Sequence, residues 1–498
     1  MVFPRVGPRE KLRPKLWNDI WETLDGLTNY NPLTGGANDQ YQGWNNGVPA
    51  LLRLRSVDPT HPRWGGGAVM DGVTDSTEQV YLASMYLATT GGQMELPPGT
   101  LLVSPKVIAG HPGSYGCVQI PNKSRIVGSG MEATTIKLKN GVTQNNYVVV
   151  SNTGLGGGDA GQGVADLTID GNGANNANNA IIGQGLAFMR ARSVRVDRVR
   201  VKDVHGYAYV PPGETFHAVV SNCVDVVFSE CETTRTAGAT ATGFGDNAST
   251  NVIYSNCIAW GMTVAHGFSS WEGSNIVFDG SIAYLNAQYG FNMEVGTNIT
   301  LTGCHAGGIA SDQADGSAGL TASQSLGNGQ SGFTSYGSKN IHLNGCHASR
   351  NGSSGLMVSD AGLEVSTAHV NGGSYTHNAQ AGINYLHSGS VTGSTISPDT
   401  VIANNTTTQV GLPSPIGYIA NTQAILPTPT VPASGVALVN PFPFAVNIIL
   451  TNTNTYFMQI GPANIGMGAA GNHTIPLPYS ASITANYGTA PTWIWLRA

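Results

Sequence analysis

Gly267-Phe268-Ser269-Ser270-Trp271, Gly290-Phe291-Asn292-Met293-Glu294 and Gly332-Phe333-Thr334-Ser335-Tyr336 are three readings of one pattern, and that pattern decides the fold. Extended both ways it gives Gly243-Phe244, Gly355-Leu356 and Gly382-Ile383, with steps of 24, 23, 42, 23 and 27 residues. A second ladder, Cys231, Cys257, Ser281, Cys304, Cys346 and Gly373, keeps the same register, and Asn286, Asn328, Asn351 and Asn378 each precede a repeat glycine by four residues. Between them lie short alternating runs such as Val252-x-Tyr254, Ile276-x-Phe278 and Ile299-x-Leu301, too short for helices and patterned as half-buried strands. A unit of this length cannot bury its apolar face alone, so its neighbours must stack on it. The expectation is an all-β chain whose main part is a parallel β-helix, with turns about 4.8 Å apart.

The register also reads the cysteines. Cys231, Cys257, Cys304 and Cys346 fall at one position of four turns, which predicts a buried stack of reduced thiols, with disulfides as the alternative. His305 and His347 follow ladder cysteines directly. Adjacent strand residues face opposite ways, so a stacked outward pair is expected rather than a metal site. Charged residues make up 10% of the 498, and glycine, at 66, is about twice its usual share. A formal charge of −6 gives no reason to expect nucleic acid, and no apolar run suits a signal peptide or membrane insertion. No cofactor motif is present. Gly156 to Gly161 fits Gly-x-Gly-x-x-Gly but precedes no helical pattern, so it reads as loop.

Along the chain, Trp17, Ile20, Leu24 and Leu27 form the seam of a helix over residues 13 to 27. The seam packs on its own chain, or it serves oligomerisation or docking to a larger particle. Residues 28 to 66 read as an extended connector. Asp71-Gly72-Val73-Thr74-Asp75-Ser76-Thr77 then leads into a cap helix at about 76–88, with Asp75 as N-cap, Glu78 completing a capping box, and Gly91-Gly92 at the end. With Met94-Glu95-Leu96-Pro97-Pro98-Gly99-Thr100, Ile126-Val127-Gly128-Ser129-Gly130 and Leu167-Thr168-Ile169-Asp170-Gly171-Asn172, this stretch resembles the pectate-lyase-like superfamily, common in phage tailspikes and polysaccharide-degrading enzymes. It departs from the usual motif at Ser76 and Leu101. The resemblance implies a right-handed β-helix over 67–424, between an N-terminal attachment segment, 1–66, and a C-terminal β-sandwich, 425–498. From Thr400 to Leu496 there is no Asp, Glu, Lys or Arg. The closing Pro478 to Thr484 and Ala490 to Trp495 resemble C-terminal domains of tailed-phage minor tail proteins. Trp493 and Trp495 fit a core or a platform for neutral sugars.

Candidate site residues follow from parity. With the Phe after each glycine inward, the residue four beyond the glycine points out, which places Trp271, Glu294, Tyr336 and Ser359 in one column. Trp271 and Tyr336 would bind sugar rings, Glu294 would be the catalytic carboxylate, and Glu272 its partner in glycoside hydrolysis. Asp246, Asp360 and His387 are secondary candidates. Six basic residues, Arg190, Arg192, Arg195, Arg198, Arg200 and Lys202, suit an anionic polysaccharide, a solvated face, or pairing with Asp197, Asp203 or a neighbouring subunit. The 42-residue step holds an insertion from about Gly307 to Ser325, with Asp312 and Asp315 in it. A lyase would need a Ca²⁺ site of clustered acids, and no such cluster falls on adjacent turns.

These readings and the resemblance lead first to a virion component: a tailspike-like minor tail protein of a bacteriophage. It would be a homotrimer assembled in the host cytoplasm, joined to other tail proteins through its N-terminus, and receptor-binding toward host surface polysaccharide. A tailspike depolymerase, as glycoside hydrolase or polysaccharide lyase, is the second reading. A secreted bacterial polysaccharide lyase or epimerase is the third.

Overall fold

Alternating apolar runs broken every few residues by left-handed corners can only wind, and in this chain they wind into a right-handed parallel β-helix. A computed structural model describes residues 40–45, 48–53 and those from 56 on, apart from 177–181, 206–214, 235–240, 309–326, 361–365, 387–393, 412–419, 422–428 and several shorter loops. Two compact units are present, Met1–Arg55 and Ser56–Ala498. In the first, Gln40–Asn45 and Val48–Arg53 pair as an antiparallel hairpin, so the stretch read as a connector contains regular structure. The seam helix expected over 13–27 lies outside the described residues.

The second unit begins earlier than residue 67. Ser56–Val57 already pairs in parallel with the strand Gly92–Glu95, and Trp64 is buried against the ring of Tyr86, 5.5 Å away. The cap helix, α1, runs Thr77–Thr90 and buries Val80, Ala83, Ser84 and Leu87 on one face. Its N-cap is Ser76 rather than Asp75. Asp75 Oδ1 instead accepts from the Thr77 amide at 3.2 Å, and Glu78 pairs with Lys106 across the surface rather than closing a capping box. Gly91 ends α1 at φ 65°, donating its N–H to the Leu87 carbonyl.

Each turn contributes one strand to a 12-stranded sheet and, in the regular part, two to a long sheet of 23. Through the repeats the pairing is parallel and in register: Phe244, Phe268, Phe291, Phe333, Leu356 and Ile383 face one another in sequence. The phenyl rings stack at 5.0, 4.7 and 5.1 Å and meet a second stack, Phe228, Tyr254 and Phe278, edge-on. The strand–strand spacing fixes such a column, since about 4.8 Å suits offset ring faces.

Polar ladders hold the corners. Asn286, Asn328, Asn351, Asn378 and Asn405 are buried, and each of the first four gives its amide Nδ2 to the Oδ1 of the next at 2.9–3.0 Å. The same Nδ2 atoms donate to the carbonyls of Ala259, Ala283, Ala306 and Ala348, which satisfies backbone the sharp turn leaves unpaired. The ladder cysteines are all free and buried, each thiol turned to a backbone carbonyl. A corner the motifs did not reveal runs Asp166, Arg198, Glu230, Asn256, Gly280, Gly303 and Gly345, every member at φ between 51° and 61°. It makes the bend between the two strands of the long sheet, and glycine enters where no side chain is needed to bridge turns. His305 and His347 stack as register partners at 6.3 Å.

Beyond the solenoid, Val446–Thr451, Asn472–Leu477 and Thr492–Arg497 form one antiparallel sheet, and Ala437–Val439, Ser482–Tyr487, Thr455–Ile460 and Ala463–Gly466 form another. Their inner faces share a core of Ile448, Leu450, Met458 and Ile483 that includes both Trp493 and Trp495. Two buried indoles, edge-to-face at 5.8 Å, exclude the sugar-platform reading.

Candidate functional site

The strands Phe268–Trp271, Phe291–Glu294, Phe333–Tyr336 and Leu356–Ser359 are in exact register, so Trp271, Glu294, Tyr336 and Ser359 occupy one column of the 12-stranded sheet. Parity turns the column away from the Phe stack. Trp271 is 44% exposed, Glu294 and Tyr336 are half-buried, and Ser359 is buried, giving its hydroxyl to the Leu386 carbonyl at 3.2 Å. Asn247 precedes Trp271 in the column and Leu386 closes it. Two residues back, Ser269, Asn292 and Thr334 form the next outward column, buried, with Asn292 Oδ1 and Thr334 Oγ1 lacking a hydrogen-bond partner.

Two further residues, missing from the sequence reading, pack beside the column, Tyr289 against Tyr336 and His266 against Tyr289. Tyr289 and His266 each sit directly before a repeat glycine, and their rings stack at 5.0 Å. The Tyr289 hydroxyl lies 2.6 Å from that of Tyr336. Burial, the Tyr289 hydroxyl and the charge of Glu294 together hold the Tyr336 phenol well above its usual range, so Tyr336 stays protonated. Burial pushes the His266 imidazole down to about 4, leaving it neutral near pH 7. The recurrence of an aromatic immediately before Gly267 and Gly290 was the available signal.

Glu272 does not share the column of Glu294. It stands at the next corner with φ 54°, exposed, and its N–H donates to the Glu294 carbonyl, which puts it in line with Ala248, Val295 and Gly337. Asp246 is also displaced from an outer site: its register partners are Val220 and Ser270, and the side chain is enclosed in the core. Burial raises its pKa to about 8 despite the hydrogen bond from Ser270 Oγ to Oδ1. Asp312, Asp315 and His387 lie outside the described residues.

Three of the six basic residues, Arg198, Arg200 and Lys202, are paired, though not with the acids expected. Arg198 forms a two-pronged pair with Asp166, Arg200 bridges Glu232 and Glu132, and Lys202 reaches Asp170. The partners lie one turn away, 32 residues in sequence, except Glu132, which is 68 residues from Arg200. Among the described residues, no three of His, Cys, Asp and Glu are grouped closely enough to hold a metal ion.

Comparison with known proteins agrees with this architecture. Residues 263–407 match the family described as right handed beta helix region. Mannuronan C5-epimerase AlgE5 of Azotobacter vinelandii is 30% identical over 263 residues, 47% of this chain and 26% of its own length, so the chain spans about a quarter of that relative. The A-module of mannuronan C-5 epimerase AlgE4 from the same organism superposes with a TM-score of 0.52 at 23% identity, covering 71% of this chain and 98% of the module. The Dettilon tailspike protein covers 88% of this chain and is itself covered to 79%, with a TM-score of 0.49 at 13% identity. The fold these matches share with the chain is the right-handed parallel β-helix.

Proposed function

We propose that this chain acts on an acidic polysaccharide laid across the outer face of the 12-stranded sheet. The observation that carries the reading is the register column Trp271, Glu294, Tyr336, with Tyr289 bonded to Tyr336. An indole face binds a sugar ring by its apolar side, while the carboxylate and the phenol pair address hydroxyls. The 30% identity to a mannuronan epimerase supports a uronate polymer as the substrate class.

Within the groove, Glu294 is the group able to take a proton, and Tyr336, held protonated, is the group able to donate a hydrogen bond to the oxygen that gains charge. Such a pair serves removal of the proton at the carbon beside a sugar carboxylate, after which either the C4–O bond breaks (elimination) or a proton from solvent returns to the opposite face of that carbon (epimerisation). Hydrolysis needs two facing carboxylates about 5 Å or roughly 6.5–9.5 Å apart, and Glu272, at the corner on the turn before Glu294, is the second carboxylate that reading would use. The test is incubation with an oligouronate, following reducing ends, unsaturated ends and epimer content by NMR. Glu294→Gln and Tyr336→Phe should each lower turnover by about 100-fold or more, and Trp271→Ala should weaken binding. Turnover unchanged in both variants overturns the assignment, and binding without turnover in the wild type leaves an adhesin.

Service as a receptor-binding phage tail component rests on a separate observation. The C-terminal sandwich lies in a sequence without Asp, Glu, Lys or Arg from Thr400 to Leu496, and it exposes Val436 and Val439. A surface of that kind is suited to burial between subunits. A solution mass near three times 51.7 kDa supports a homotrimer, and a monomer at micromolar concentration refutes it.

A further inference from the structure

A cavity of about 390 Å³ opens on the long sheet, away from the groove, with Arg125, Gly163 and Arg195 in its lining. These three are register partners on successive turns, Arg125 beside Gly163 and Gly163 beside Arg195, so two arginines share one outward column with a glycine between them. The glycine makes the notch. A Cβ there would stand 2.8 Å from the Arg195 carbonyl and 3.6 Å from Arg125 Cβ. Both arginines are exposed, and neither has an ion-pair partner among the described residues, whereas Arg198, Arg200 and Lys202 on the Arg195 strand are all paired. Asp197 and Asp225 also line the cavity. The column continues past Arg195 as Val227, Ile253 and Val277, an uncharged strip on which Ile253 is 38% exposed.

We propose that the Arg125–Gly163–Arg195 notch is a second saccharide subsite that binds the carboxylate of an acidic sugar residue. Guanidinium groups on both sides of a recess meet a carboxylate with charge-assisted, directional hydrogen bonds. The two aspartates accept from ring hydroxyls, and the strip of Val227, Ile253 and Val277 carries the apolar face of the following sugar. The subsite takes its ligand class from the acidic-polysaccharide reading but uses none of the groove residues.

Calorimetric titration with a hexameric oligouronate, its carboxyl-reduced counterpart and a sulfated hexamer tests the proposal on the full chain. In a Trp271→Ala background, which removes the contribution of the Trp271 column, Arg125→Gln and Arg195→Gln should each weaken oligouronate binding about tenfold, and the double variant about 100-fold. Arg198→Gln should stay within about twofold of that background, and the reduced hexamer should bind the background no better than the oligouronate binds the double variant. Oligouronate affinity retained in the double variant, equal binding of the reduced hexamer, or preference for the sulfated one overturns the assignment. The variants alter exposed side chains without ion pairs, and circular dichroism checks that the fold is kept. If Trp271→Ala and Glu294→Gln leave binding intact while the arginine variants lose it, the groove reading fails and the subsite stands. The converse result sinks the subsite alone.

Discussion

Asp246→Asn should stabilise this protein, and by an amount that depends on pH. The carboxyl is sealed inside the solenoid between Val220 and Ser270, with Oδ1 accepting from Ser270 Oγ and Oδ2 without a partner. Burial raises its pKa from 3.8 to about 8. Below pH 3.8 folded and unfolded chains both hold the proton, and the residue costs nothing by ionisation. Between 3.8 and about 8 the unfolded chain has released the proton while the folded chain keeps it, so stability falls as pH rises and levels off above about 8. Four pH units at about 1.36 kcal/mol each put the full penalty on the order of 5 kcal/mol. An asparagine accepts from Ser270 equally well and carries no charge to release. Urea unfolding of both proteins, followed by circular dichroism at pH 4, 6 and 9, should show midpoints that nearly coincide at pH 4 and diverge with rising pH, the variant being more stable. His266 imposes the opposite slope, since its pKa of about 4 removes stability as pH falls from 6.5, but it does so in both proteins and cancels from the difference. A gain that does not change with pH, or a variant less stable at pH 9, would refute the reasoning.

Further outcomes follow from the ladders and the groove. Asn351→Ala removes bonds to the Ala306 carbonyl and to Asn378 Oδ1 and leaves the Asn328 amide without its acceptor, so unfolding should be easier by about 2–4 kcal/mol. An exposed counterpart, Asn298→Ala, should cost less, about 1–2 kcal/mol, most of it from placing alanine on a left-handed backbone at φ 56°. The six cysteines should resist a thiol reagent in the native protein and react fully in denaturant, because burial raises the thiols of Cys117, Cys223, Cys257 and Cys304 and shields all six. Rapid labelling of the native chain would contradict the stacked-corner assignment. Tyr289→Phe deletes the hydroxyl facing Tyr336, and ultraviolet titration of the tyrosines should show the Tyr336 transition moving toward its usual range.

Legibility followed periodicity. The glycine–aromatic ladder, the asparagine ladder and the cysteine stack were readable because a solenoid turns sequence spacing directly into register, and the outward column of Trp271, Glu294, Tyr336 and Ser359 came from the same counting. Less visible was a second, exposed ladder in which the amides of Asn251, Asn275, Asn298 and Asn340 chain together from Asp225. All five are left-handed, and each directly precedes the Val or Ile that opens an alternating run, a signal that could have been used. Cys223 looked solitary, yet it belongs to a corner with Ala191 and Ser249, two residues of unlike chemistry that spacing alone does not group.

Sequence alone determined that the chain stacks as a parallel solenoid and which columns face inward, because stacked turns about 4.8 Å apart leave each residue a single neighbour above and below. Tertiary structure decided what each column could do. Arg198 found Asp166, Tyr289 reached Tyr336, Glu272 was turned to a corner beside the groove and Asp246 was sealed in the core. Those outcomes depend on corner angles, side-chain reach and local burial, which vary from turn to turn while the repeat stays the same.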